Sequence, residues 1–162
     1  MYHTTIVLAI HPDLNDLDGA LVRLRRLWDH PALRRRLLEL LGVPVELSLI
    51  RTLGAIEERH AEPEPGVRHV ADALAVDAST ASRFVEQAVA GGWVTRRTCA
   101  RDRRRCVLAL TERGEGLLER VTEVRSALLA ELTADWTADD IATLATLLER
   151  LDHRIQELEA AT

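Results

Sequence analysis

Lysine is absent from all 162 residues, so every cationic side chain apart from histidine is one of 21 arginines. Arginine presents a planar fork to phosphate and guanine, but a biased genome composition produces the same pattern, and the feature carries little weight. Aromatic residues are almost as scarce, with three Trp, one Tyr and one Phe. Leu, Val, Ile and Ala must therefore fill the core, which suits helices meeting along aliphatic seams better than a β-sandwich. The two cysteines, Cys99 and Cys106, are too few for a disulfide framework and lack zinc-finger spacing. No apolar run is long enough to span a bilayer. The start, MYHTTIVLAIHPDLND, has neither a basic lead nor a small-residue cleavage site, so a cytoplasmic protein with no membrane partner is expected. The histidines (His3, His11, His30, His60, His69 and His153) show no ligand spacing, and neither a metal nor another cofactor is expected. No pocketed nucleophile, acid–base pair or metal constellation is legible, which argues against an enzyme.

What is present is a strong segregation of charge. The formal net charge is −5. Between Trp93 and Arg113, seven arginines face only Asp102 and Glu112, a local +5. From Glu115 onward, eleven acids stand against four arginines, a local −7. A basic patch on an otherwise acidic chain steers a polyanion to one face and disfavours docking by the others.

Apolar periodicity organises the rest. Leu14, Leu17, Leu21, Leu24 and Leu27 predict a helix over residues 14–28, which His30-Pro31 interrupts because a residue before proline is pushed out of the α region. A second helix runs over 31–41 and stops at Gly42. Pro44 opens a third through Leu47, Ile50, Leu53 and Ile56, followed by a Pro/Gly-rich loop over 61–66. Residues 67–75 read as a short helix with Val70, Leu74 and Val76 inward. Asp77 then caps a helix that keeps Ala81, Phe84, Val85, Ala88 and Val89 for the core and ends at Gly91-Gly92. Residues 93–98 and 105–110 are β-prone and flank a tip reading CARDRR. Helices over 112–132 and from Thr137, with a Thr137/Asp140 capping box, carry two aliphatic seams. These seams exceed what the small central unit can cover, so a second copy of the chain is the expected partner, with Leu128, Leu144, Leu151 and Ile155 in the contact.

Two short helices, a capped turn, a glycine stop and a basic hairpin are the parts of a duplex-DNA reader. Ser79, Thr80, Ser82 and Arg83 occupy the start of the second helix, the part that points at base edges in the major groove. Arg101, Asp102, Arg103 and Arg104 form the hairpin tip, where Asp102 is expected to fix one arginine by a bidentate pair so that another reaches the duplex. Trp28, His30 and Arg51 are candidate liners of a small-molecule pocket beside the N-terminal helices. Cys99 and Cys106, with arginine neighbours that favour the thiolate, leave open an alternative as a thiol-based redox-responsive regulator. A winged-helix protein–protein adaptor is the other alternative, although it has no need of arginines at the tip.

The helix Asp77-Ala-Ser-Thr-Ala-Ser-Arg-Phe84, the glycine stop, Asp102-Arg103-Arg104 and Val107-Leu-Ala-Leu-Thr-Glu-Arg-Gly114 together resemble the MarR family of winged-helix transcriptional regulators. The resemblance covers about 70 residues clearly. It implies a mostly helical α+β chain: a single domain over 1–162, with a winged helix-turn-helix at 44–114 bearing a two- or three-stranded wing. Residues 12–43 and 115–161 would form a helical dimerisation frame. It further implies a homodimer on a pseudo-palindromic operator in double-stranded DNA, repression, and release by a small aromatic or anionic ligand. Arg104 would be the minor-groove arginine and Asp102 the residue that orients the wing. The chain departs from the family where His30-Pro31 breaks a first helix that is usually continuous. It also lacks the N-terminal cysteine of the peroxide-sensing branch and the histidines that the metal-responsive branch carries after the wing, so neither sensing chemistry is expected.

Overall fold

The computed structural model describes residues 12–58, 65–98 and 106–160. The chain divides into two units, Met1–Val121 and Thr122–Thr162. The first begins with α1 (Pro12–Leu24), a 3-10 turn (Leu27–Asp29) and α2 (Pro31–Leu41). The helix expected over 14–28 thus stops early: Arg26, Asp29 and His30 donate to carbonyls three residues back, tightening the chain ahead of Pro31. Gly42, at φ +62°, terminates α2, and Arg120 Nη2 donates to Leu41 O at 2.8 Å, satisfying a carbonyl that the helix end leaves without a partner.

α3 (Leu47–Glu57) starts three residues later than Pro44 led us to expect. Val43 precedes the proline, the Val45 amide turns back to Val43 O at 2.8 Å, and Glu46 is extended, so helical geometry begins only after it. Leu47, Ile50, Leu53 and Ile56 are buried as their spacing predicts, and with them Thr52, whose hydroxyl donates to Ser48 O at 2.8 Å. α4 (Val67–Leu74) buries Val70 and Ala71, whereas Leu74 and Val76 are only half-buried. His69 Nε2 lies 2.9 Å from Ala55 O and ties α4 to α3.

α5 (Ala78–Ala90) buries Ala81, Val85 and Ala88, the 4-3 spacing of one helical face. Phe84 and Val89, expected in the core, are half-buried at its margin. β1 (Val94–Thr98) pairs antiparallel with β2 (Cys106–Leu110), Val94 opposite Leu110 and Arg96 opposite Leu108. Among the described residues the sheet has two strands; where a third would lie, a single bond from the Leu108 amide to Pro65 O (2.8 Å) attaches the segment before α4. α6 (Glu112–Leu132) begins in this unit and buries Leu117, Leu118 and Val121.

The second unit holds the rest of α6 and α7 (Ala138–Ala160). Its capping box forms as read: the Thr137 amide and hydroxyl donate to Asp140 Oδ2 (3.0 and 2.6 Å), and the Asp140 amide donates back to Thr137 Oγ1 (3.1 Å). The Thr137 hydroxyl and amide hold the Asp140 carboxyl below its ordinary range. Among the described residues no helix is long and apolar enough to cross a membrane, and no three His, Cys, Asp or Glu gather as metal ligands.

Candidate nucleic-acid interface

The turn between α4 and α5 is set by two local devices. Ala75 takes the left-handed conformation (φ 52°), and the Val76 amide reaches Ala71 O at 3.0 Å, which ends α4 sharply. Asp77 then caps α5. Its Oδ1 accepts the amides of Ser79 (3.0 Å) and Thr80 (2.9 Å). Both hydroxyls also donate to it, Ser79 Oγ to Oδ1 and Thr80 Oγ1 to Oδ2. These bonds, the Ser79 hydroxyl foremost, hold the Asp77 carboxyl far below the usual carboxylate range.

This cap determines what the helix start can do chemically. A carboxylate that stays ionised can only accept, so the hydroxyl protons of Ser79 and Thr80 are committed to it. Their lone pairs remain available, making the two hydroxyls acceptors toward any approaching group. Helical spacing places Ser79, Arg83 and Glu86 on the row opposite the buried Ala81, Val85 and Ala88, with Ser82 on its flank. All three residues of that row are exposed. The Arg83 guanidinium sits 5.7 Å from the centroid of the Phe84 ring, and Ser82 Oγ contacts Glu86 Oε1 at 3.4 Å. Glu86 was absent from the expected site; its position one turn beyond Ser82 was the available signal.

Arg101, Asp102, Arg103 and Arg104 lie outside the described residues, as does Cys99. β1 leads toward that stretch, and the exposed Arg96 and Arg97 stand on it. Sequence reasoning counted these two cations without assigning them to the site. Arg113, counted with them, is spent differently. Its guanidinium lies 3.8 Å from the centroid of the Trp93 ring, and its Nη1 donates to Gly91 O at 2.8 Å.

The three pocket candidates are not brought together around one cavity. Arg51 Nη2 pairs with Asp29 Oδ1, joining the 3-10 turn to α3, while Trp28 is half-buried and His30 exposed. A shallow groove of about 520 Å³ runs along α2 beside Asp29, Arg34 and Arg35. Another of about 480 Å³ lies between the start of α3 and the end of α5, reaching Phe84, Gln87, Trp93 and Arg113. Neither is lined by Trp28, His30 or Arg51. Of the expected dimer contacts, Leu128 is 2 % exposed within the single chain, whereas Leu144, Leu151 and Ile155 are open.

No family model matches the chain. Solved structures do. A mutant of MarR from E. coli is 26 % identical, with a TM-score of 0.62 over 81 % of this chain and 95 % of that one. A MarR family protein from Bacillus stearothermophilus is 23 % identical, with a TM-score of 0.63 over 86 % and 97 %. A mutant of S. aureus MepR bound to an oligodeoxyribonucleotide is 19 % identical, with a TM-score of 0.56 over 83 % and 97 %. By fold, this chain is similar to these winged helix-turn-helix proteins of the MarR type.

Proposed function

We propose that the chain is a sequence-specific double-stranded DNA-binding transcriptional regulator that works as a homodimer on a pseudo-palindromic operator. The observation that carries this reading is the outward row of α5. Ser79 and Arg83 are presented on a rigidly capped helix, beside a strand whose exposed Arg96 and Arg97 lead into the arginine-rich stretch 101–105. MepR, which shares the fold, has been solved with an oligodeoxyribonucleotide bound. Ser79, Thr80, Ser82 and Arg83 would face base edges, and Arg101, Arg103 and Arg104 would meet backbone or minor groove, with Asp102 orienting them.

The homodimer is supported by α7. Ile141, Leu144, Leu148, Leu151 and Ile155 follow one another at steps of three and four, and each is 39–48 % exposed. That is a heptad seam, and a second copy supplies a matching one. The regulator is proposed to repress and to release DNA on binding a small aromatic or anionic molecule. An anion at Arg51 would compete with Asp29 for the guanidinium, whereas among the described residues Trp28 and His30 share no cavity with it. Such an anion could switch the protein only by preferring one spacing of the two DNA-reading lobes.

Selection from a random duplex pool tests binding, palindromy and half-site spacing together. The expected product is a two-fold site with half-sites about one helical turn apart. Enrichment of no sequence, at two salt concentrations, would refute the reading in favour of an adaptor.

A further inference from the structure

The turn that joins α5 to β1 is held from an unexpected direction. Its own end of α5 closes conventionally, with the Gly91, Gly92 and Trp93 amides donating to Gln87, Val89 and Ala88 carbonyls at 2.9–3.0 Å. The three carbonyls of the same turn are then taken by the junction between β2 and α6, about twenty residues away. Arg113 Nη1 donates to Gly91 O (2.8 Å). Thr111 Oγ1 donates to Gly92 O (2.7 Å). The Thr111 amide donates to Trp93 O (3.1 Å). The Gly114 amide closes the set on Thr111 Oγ1 at 3.2 Å.

Sterics lock the same pieces. The Trp93 indole lies so close over Gly91 that a Cβ there would sit 2.6 Å from Cδ1. A Cβ on Gly114 would lie 2.3 Å from Trp93 O. Arg113 covers the indole at 3.8 Å, a stacked cation–π contact. The guanidinium is therefore engaged by a ring face and a carbonyl at once, and its planar fork is what allows both.

We infer that Arg113 is a positioning residue for DNA reading: through Trp93 and Gly91 it fixes the direction in which α5 leaves the wing and meets the start of α6. The inference rests on the DNA-binding function proposed above. It assigns no phosphate to Arg113, although that residue belongs to the basic stretch by sequence. Losing the clamp lets α5 rock against β1 and α6, which degrades alignment along the whole outward row while leaving the count of phosphate contacts intact.

Three variants separate this role from the alternatives: Arg113→Ala, Arg113→Lys and Gly91→Ala. The last removes no charge and suits the backbone, since Gly91 has ordinary helical angles (φ −77°, ψ −3°), but displaces the indole. Each is titrated against the selected operator over a range of salt, alongside its melting temperature and the Trp93 indole N–H resonance without DNA. Arg113→Ala and Gly91→Ala should each move that resonance and weaken operator binding by about tenfold or more, on the scale of one misplaced base contact. The salt slope should stay at the wild-type value, and Arg113→Lys, which keeps a cation for the ring but lacks the planar fork that also holds the carbonyl, should recover only part of the affinity. A slope lowered by about 0.9 in Arg113→Ala would make the residue a phosphate contact and overturn the inference. Unchanged affinity in the folded fraction, or a loss in Arg113→Ala without one in Gly91→Ala, would overturn it too. A wild type that binds no duplex would instead refute the proposed function, with the indole resonance still reporting the clamp.

Discussion

Replacing Leu151 with glutamate should split the proposed dimer without unfolding the chain. Leu151 is 40 % exposed on α7, in register with Leu144, Leu148 and Ile155 on the same face. Burying a whole leucine side chain is worth about 1.5–3 kcal/mol, so covering the remaining two-fifths contributes roughly 1–2.5 kcal/mol to a dimer that counts it twice. Truncation by Leu151→Ala should therefore raise the dissociation constant by about tenfold. L151E adds a carboxylate from each chain to an apolar seam, costing on the order of 3 kcal/mol more. The combined penalty is about 4 kcal/mol, or roughly a thousandfold in the dissociation constant. Sedimentation velocity across a dilution series reads this directly, and far-ultraviolet dichroism checks that the helices persist. L151E sedimenting as a dimer over the same range as wild type would refute the assignment of the α7 seam. A wild type that remains monomeric at high micromolar concentration would refute the homodimer itself.

Three further outcomes follow from the turn and the cap of α5. The folded Asp77 carboxyl titrates below its unfolded value, so its stabilisation is complete above about pH 4 and is lost as the pH falls further. The melting deficit of Asp77→Ala relative to wild type should accordingly be full at neutral pH and shrink on acidification; a deficit independent of pH would remove the charge from the argument. Ala75 occupies a left-handed conformation that glycine adopts freely, so Ala75→Gly should stabilise the chain by up to about 1 kcal/mol in chemical denaturation, and destabilisation would contradict the turn geometry. Ser79→Ala should relax sequence preference where the selected base offers a donor edge, adenine N6 or cytosine N4, since the hydroxyl proton is committed to Asp77. Loss of preference at a guanine or thymine instead would show that the hydroxyl donates to DNA.

What was legible in the sequence is what short-range chemistry decides. The limits of α6, the Thr137–Asp140 box, the Asp77 cap and the glycine stop of α5 at Gly91-Gly92 each depend on residues within a turn of one another. The start of α3 was misplaced because proline at a first turn and proline just before one look alike in sequence. Only the path of Val43–Glu46 separates them. Phe84 and Val89 satisfied the helical period yet reached only the rim, since burial also depends on what packs opposite. Pairings across about twenty residues left no trace at all: Arg51 with Asp29, and Arg113 with Trp93.

That last pair bears on how a chain of net charge −5 would bind the polyanion proposed for it. Summing the stretch 93–113 treats seven arginines as equivalent, but their availability to phosphate differs. Arg113 is already engaged by the indole and a carbonyl, and a cation held this way adds to the local potential without being free to release a counterion from DNA. Under the proposed function, the contact-making charge of each protomer would then rest on Arg96, Arg97 and the arginines of 101–105, together with Arg83 on the helix. On that reading the local +5 would steer the duplex, while a smaller number of arginines would set the salt slope. The two quantities should therefore separate in experiment: neutralising Arg113 should slow association at low salt, where its charge contributes to steering, and leave the slope of equilibrium affinity unchanged.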